Sequence, residues 1–203
     1  MEALLAQAKE ALAEYAAANS SYSTNVDAQK DAFNAIGQLL TRVKYALQAS
    51  DSTAENDQTA QTIFRKLKGQ RASTKITNEE KAAMEAEGKK VNQISVSQMS
   101  YSNRIDNLQS LISLLSSIPA YNPNEEELKV SALASLAAEL QDKNTRVASS
   151  FVQLTAARNK RTEIIRGAET SIVETASNVK SYVRSLFGST HPNYKQISKI
   201  AIK

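Results

Sequence analysis

One histidine and no cysteine stand among the 203 residues. Thiolate nucleophiles, disulfides, Cys-bound zinc and Cys-held iron–sulfur clusters are thereby excluded, and a Ser-His-Asp triad would have to rest on His191 alone. The pair of Glu-x-x-His motifs that builds a di-iron helical bundle needs two histidines and cannot be written. His191 directly precedes Pro192 and reads as a turn residue rather than a ligand or a base. The carboxylate run Glu125-Glu126-Glu127 offers the chemistry of a cation site. Side chains on consecutive helical residues point in different directions, however, and a helix dipole explains three acids in a first turn better. No G-x-G-x-x-G or G-x-x-x-x-G-K occurs, and Gly37, Gly69, Gly88, Gly167 and Gly188 lie at least 19 residues apart, so no phosphate nest can be read. Tyr101, Tyr121 and Tyr182 are scattered fillers rather than a stacking platform. No catalytic, cofactor-binding or metal-ligating residue is assigned, no cofactor or small-molecule substrate is identified, and the chain is expected not to be an enzyme.

Clustered cations are the remaining chemistry. Residues 57–75 carry Arg65, Lys66, Lys68, Arg71 and Lys75 against Asp57, a net of +4; residues 175–203 carry Lys180, Arg184, Lys195, Lys199 and Lys203 against no acid, a net of +5. With +4 on the whole chain, the remainder holds −5. Such patches could meet nucleic acid or another anionic surface, through Arg65, Lys66, Lys68, Arg71, Lys180, Arg184, Lys195 and Lys199. Neither segment has the aromatic interleaving of a single-strand binder or the spacing of a helix-turn-helix, so a solvated charged face is the first expectation and anion binding the alternative.

The elements that must position these residues are helices. Five Gly and three Pro are too few turn-makers for a sandwich or a multi-strand sheet. From Leu4, small or apolar residues fall at 4, 8, 11, 15, 18, 22, 26, 29, 33, 36, 40, 43 and 47, only Gln29 being polar. That rhythm predicts one helix over about 2–49, weakest at Asn19-Ser20-Ser21. Asp51 to Asn56 reads as a turn, and a short helix over 57–68 presents Ile63, Phe64 and Leu67 before a Gly69 stop. Thr77-Asn78-Glu79-Glu80 has capping-box form, and Met84, Val91, Gln98, Ile105 and Ile112, interleaved with Glu87, Ile94, Tyr101, Leu108 and Leu115, predict a helix over 78–118 that Pro119 stops. After the linker Ala120 to Pro123, a helix over 125–187 carries Leu133, Leu136, Leu140, Val147, Phe151, Leu154, Ile165, Ile172, Val179, Tyr182 and Leu186, with Arg158 and Arg161 on the same stripe setting register or snorkelling outward. The expected fold is all-α: an elongated antiparallel up-down-up-down bundle of three long helices and one short one, a single domain over 1–188.

The tail, 189–203, is too apolar at Tyr194, Ile197, Ile200 and Ile202 to be a disordered end and is expected to dock on the bundle, or on a neighbouring subunit or partner. No stretch approaches 18 consecutive apolar residues, so no membrane span is expected, and acids near the N-terminus argue against a signal peptide. A cytoplasmic location is the default.

The stretch Ser97-Gln98-Met99-Ser100-Tyr101-Ser102-Asn103-Arg104, continuing through Asn107-Leu108 to Pro119-Ala120-Tyr121-Asn122-Pro123-Asn124-Glu125 and Leu128, resembles a family of uncharacterised bacterial proteins of similar size. So does the ending Tyr182-Val183-Arg184-Ser185-Leu186-Phe187-Gly188 with Pro192-Asn193-Tyr194-Lys195-Gln196-Ile197. The family pattern has Ser where His191 stands, so no role passes to that residue. The resemblance implies a helical bacterial protein and no reaction. Together these features point to a structural or protein-interaction module, with a protein partner or self-association expected ahead of nucleic acid.

Overall fold

Alanine-rich sequence with no proline and one glycine favours an uninterrupted helix, and α1 runs unbroken over Glu2–Gln48, about 70 Å at ~1.5 Å per residue. Asn19-Ser20-Ser21 is helical like its flanks. Every member of the predicted stripe from Leu4 to Leu47 is buried or half-buried, so the three-and-four spacing does mark the packed face. The computed structural model describes residues 2–70, 77, 79, 83, 86, 87, 99–167 and 170–200. Its further elements are α2 (Ala54–Leu67), α3 (Tyr101–Ser116), a 3-10 turn (Glu126–Leu128), α4 (Val130–Arg166), α5 (Ile172–Phe187) and α6 (Pro192–Ser198). All regular structure among the described residues is helical, as an all-α fold requires.

Local capping explains where helix boundaries differ from those expected. The helix predicted over 57–68 starts at Ala54, because Thr53 takes an extended conformation and its Oγ1 accepts from the Asn56 N–H. Ala54, Glu55 and Asn56 are therefore helix, not turn. Gly69 does end it, at φ +65°. The helix predicted over 78–118 does not run through residue 100: Ser100 is extended, its Oγ accepts from the Asn103 N–H, and α3 starts at Tyr101. Its upstream part, with Met84, Val91, Ile94 and Gln98, lies outside the described residues. Glu125 to Glu127 do not form the first turn of α4 either. Lys129 is extended and separates the 3-10 turn from α4. The helix predicted over 125–187 is also divided at its far end, where Thr170 has φ 57° and Ser171 caps α5 by accepting from the Glu174 N–H.

The chain forms two compact units, Met1–Val26 with Arg146–Lys203, and Asp27–Thr145. In the second, one apolar core takes Phe33, Ile36, Leu40, Val43 and Leu47 from α1 and Phe64 and Leu67 from α2. Ile105, Leu108, Leu111 and Leu115 of α3 and Leu133 and Leu140 of α4 complete it. Gln29 sits on the packed face at 3% exposure, its Nε2 donating to Asn144 Oδ1 at 2.9 Å, while Asn144 Nδ2 donates to Ser102 Oγ at 3.4 Å. This chain of amides fixes the axial register of three helices, since a slip would strand a buried polar group. The first unit buries far less: Ala8, Ala11, Ser150, Leu154 and Ser171 are its buried side chains among the described residues.

The two glycines bordering α2 and inside α1 have opposite expected effects. Gly37 is exposed and helical, with nothing within 4 Å of an added Cβ, so Gly37→Ala raises stability by about 0.5–1 kcal/mol. At Gly69 a Cβ would stand 2.7 Å from Met99 Sδ on a left-handed backbone, so Gly69→Ala lowers stability by about 1 kcal/mol or more. Urea denaturation of the two variants measures both signs.

Candidate functional site

A tight connection after α3 builds one wall of a cleft in the second unit. Pro119 cannot continue a helix, and the Ser117 N–H closes the last turn onto the carbonyls of Ser113, Leu114 and Leu115. The buried phenol of Tyr121 then donates to Leu128 O at 2.7 Å, latching the loop across seven residues. Burial, reinforced by Glu125, pushes the Tyr121 hydroxyl up to about 12. The latched loop faces the end of α1 across an open cleft of about 530 Å³, with Arg42 and Tyr45 on one wall and Asn122, Pro123, Asn124 and Glu125 on the other. Tyr45 is 64% exposed. Arg42 Nη2 lies 2.6 Å from Glu127 Oε1. The hydrogen bond from Arg42 holds the Glu127 carboxyl below its ordinary range, and Glu127 raises the Arg42 guanidinium in return. Both partners are exposed, so salt screens the pair. The cleft presents amide donors and acceptors beside an aromatic face, which suits holding a polar chain; none of its lining residues pairs a nucleophile with a base.

A second cluster is structural. The Arg104 guanidinium lies 4.9 Å from the Phe33 ring centroid and donates through Nη2 to Phe33 O at 3.0 Å, while Tyr101 tilts onto the same ring at 4.6 Å. Arg104 Nε is buried without a hydrogen-bond partner, and burial pulls the guanidinium pKa down. These contacts clamp α3 onto α1. In the first unit, Arg161 does the same work over Tyr15 at 4.4 Å, which settles its place on the stripe, and Lys160 reaches both carboxylate oxygens of Glu14 at 2.7 and 2.8 Å.

The residues singled out for anion binding fall in both units. Arg65 is half-buried, its Nη2 donating to Thr62 Oγ1 at 3.0 Å; Lys68 Nζ donates to Thr41 Oγ1 at 2.9 Å; Lys66 is exposed. Arg71 lies outside the described residues. Lys180, Arg184, Lys195 and Lys199 belong to the first unit, the first two in α5, Lys195 within α6 and Lys199 at its C-cap. The tail forms α6 and folds back on α5: Lys180 Nζ donates to Ile200 O at 2.6 Å, Arg184 lies 5.9 Å from the Tyr194 ring, and Phe187 stacks on His191 at 4.9 Å. Tyr194 and Ile197 are half-buried by this packing, whereas Ile200 is 57% exposed and Ile202 lies outside the described residues. His191 caps α6, its Nδ1 accepting from the Asn193 N–H at 3.2 Å. The turn reading of this residue is thus given a specific job.

Several surface residues escape sequence reading. Phe151, Tyr182 and Leu186 keep helical rhythm with the buried positions yet stand 49%, 65% and 58% exposed. The cleft residues Arg42 and Tyr45 lie off the apolar stripe and had no local signal. The S-x-x-E form of Ser171 to Glu174 was the readable mark of the α5 start. Among the described residues no group of three or more His, Asp or Glu side chains could hold a metal ion, and no described helix is long and apolar enough to cross a membrane. No protein-family model, curated protein or solved structure matches the chain.

Two titrations test this geometry. In an alkaline absorbance titration, one of the seven tyrosines should ionise near 12, and Tyr121→Phe should remove that step. The stabilisation from the protonated, bonded phenol is full below the ordinary tyrosine value near 10 and is lost as pH rises toward 12, and Tyr121→Phe should cost about 1 kcal/mol below that window. At the acid end, NMR titration of Arg42→Gln should return Glu127 to its ordinary carboxylate range. In the parent chain the pair's contribution is present above that range and fades as pH falls through the lowered Glu127 value.

Proposed function

We propose that this chain is a non-enzymatic helical-bundle module, its helices running up and down in turn, that works by binding protein, its own copies first. The observation that carries this reading is the distribution of apolar surface. Of ten large apolar side chains exposed among the described residues, eight belong to the first unit: Leu5, Leu12, Phe151, Val152, Tyr182, Leu186, Phe187 and Ile200. The same unit buries little beyond Leu154 and two alanines, so a partner would cover what its own packing leaves in water. The residue inventory supports a non-catalytic role, because the one histidine is engaged as a helix cap and the polar side chains of the interior hold helices in register. The resemblance to uncharacterised bacterial helical proteins agrees with this reading and adds no activity. A cytoplasmic location is part of the same proposal.

Sedimentation velocity across a wide range of protein concentration tests it. Association that strengthens with concentration is expected, and the double variant Leu12→Glu with Val152→Glu should sediment as a monomer while keeping its helical circular dichroism. A parent chain that stays monomeric throughout would remove self-association.

A further inference from the structure

The α5–α6 hairpin supplies half of the exposed apolar side chains on which the protein-binding reading rests, and joins to them a second property which that reading leaves unused. First, its apolar side chains are only partly covered: Ile172, Val179, Val183, Tyr194 and Ile197 are half-buried, no residue from 172 to 200 is fully buried, and Tyr182, Leu186, Phe187 and Ile200 are 65%, 58%, 47% and 57% exposed. At 100° per residue, Ile172, Val179, Val183 and Leu186 share one side of α5, with Tyr182 at one border and Lys180 and Arg184 at the other. Second, its charge has one sign. Residues 172–200 contain four cations, Lys180, Arg184, Lys195 and Lys199, against the single acid Glu174 in the first turn of α5. None of the four cations forms an ion pair among the described residues. Lys180 and Arg184 instead meet a carbonyl and a tyrosine ring of their own hairpin, which leaves their charge uncompensated.

We propose that this hairpin docks the protein onto an anionic lipid surface, with Tyr182, Leu186 and Phe187 entering the headgroup boundary and Lys180, Arg184, Lys195 and Lys199 facing lipid phosphates. A surface that is apolar just beneath a negative layer is complementary to both properties at once. The competing occupants each satisfy one. A nucleic acid would neutralise the cations but leave Leu186 and Phe187 in water, and a second copy of the hairpin would cover the apolar side chains while bringing four more positive charges against the first four. Sixteen residues make α5 about 24 Å long, suited to lying along a bilayer and too short to span it. The docking goes beyond protein binding, and although both draw on the exposure of Tyr182, Leu186, Phe187 and Ile200, vesicle binding and self-association are read by separate measurements, so either can fail without the other.

Flotation of the full chain with vesicles decides the matter. Vesicles of phosphatidylcholine containing phosphatidylglycerol should carry the protein upward, phosphatidylcholine alone should not, and raised salt should weaken the binding. Lys180→Glu and Lys199→Glu should each reduce affinity by at least roughly fivefold, the loss of one surface-proximal positive charge, whereas Lys44→Glu in the other unit should leave it unchanged. The pair Leu186→Ser with Phe187→Ser keeps every charge and should still abolish most of the binding. Because the chain has no tryptophan, Leu186→Trp gives a single reporter whose emission should shift to shorter wavelength with the anionic vesicles only. Equal flotation with neutral vesicles, no flotation with either, or binding that ignores the Leu186 and Phe187 changes and is competed by DNA would each overturn the proposal.

Discussion

Cover for one face of α1 is the constraint on which the rest of the structure depends. A helix of 47 residues gains little from its own hydrogen bonds in water, and persists because a stripe along its length is taken out of solvent. The stripe changes character on the way. From Phe33 to Leu47 its members are large, and they join residues of α2, α3 and α4 in one core. Before residue 27 they are Leu4, Ala8, Ala11, Tyr15, Ala18, Tyr22 and Val26, of which only the two small ones Ala8 and Ala11 are fully buried, so less apolar area leaves water there at roughly 25 cal/mol per Å². One continuous helix thus supplies a deep core to one unit and a thin one to the other.

Polar groups do the aligning that apolar packing leaves free. Leucine and alanine tolerate small slides, whereas the Gln29–Asn144–Ser102 chain has one register in which the buried Gln29 amide is paired. Tyr121 latches the connection before α4 by a single hydrogen bond to Leu128 O, and Arg104 and Arg161 set their guanidinium groups over the rings of Phe33 and Tyr15. Tyrosine and arginine are used here as long, amphipathic struts: the ring or stem is buried and the polar end reaches a backbone oxygen or solvent.

The same economy explains the surface. Among the described residues, exposed large apolar side chains are reduced to Tyr45 and Met99 where the core is deep, and eight remain outside where it is thin. In the C-terminal hairpin that uncovered apolar surface coincides with uncompensated positive charge, a combination that internal stability does not require.

The amino-acid order by itself determined that the chain is helical and which face of α1 is packed, because a 3.6-residue period in side-chain polarity is a property of neighbours along one helix and needs no knowledge of what covers it. It also contained the Gly69 stop and the Pro119 interruption, both consequences of local backbone geometry. The breaks at Ser100 and Ser171 were written in cap residues but masked by an apolar rhythm that continues across them. Only tertiary structure decided that Phe151, Tyr182 and Leu186 stay in water, that Arg42 and Tyr45 face the loop at Asn122 to Glu125, and that the tail returns to α5. Periodicity names a face, while burial depends on whether a second element of matching length and shape reaches it, and that is settled by contacts between residues distant in the chain.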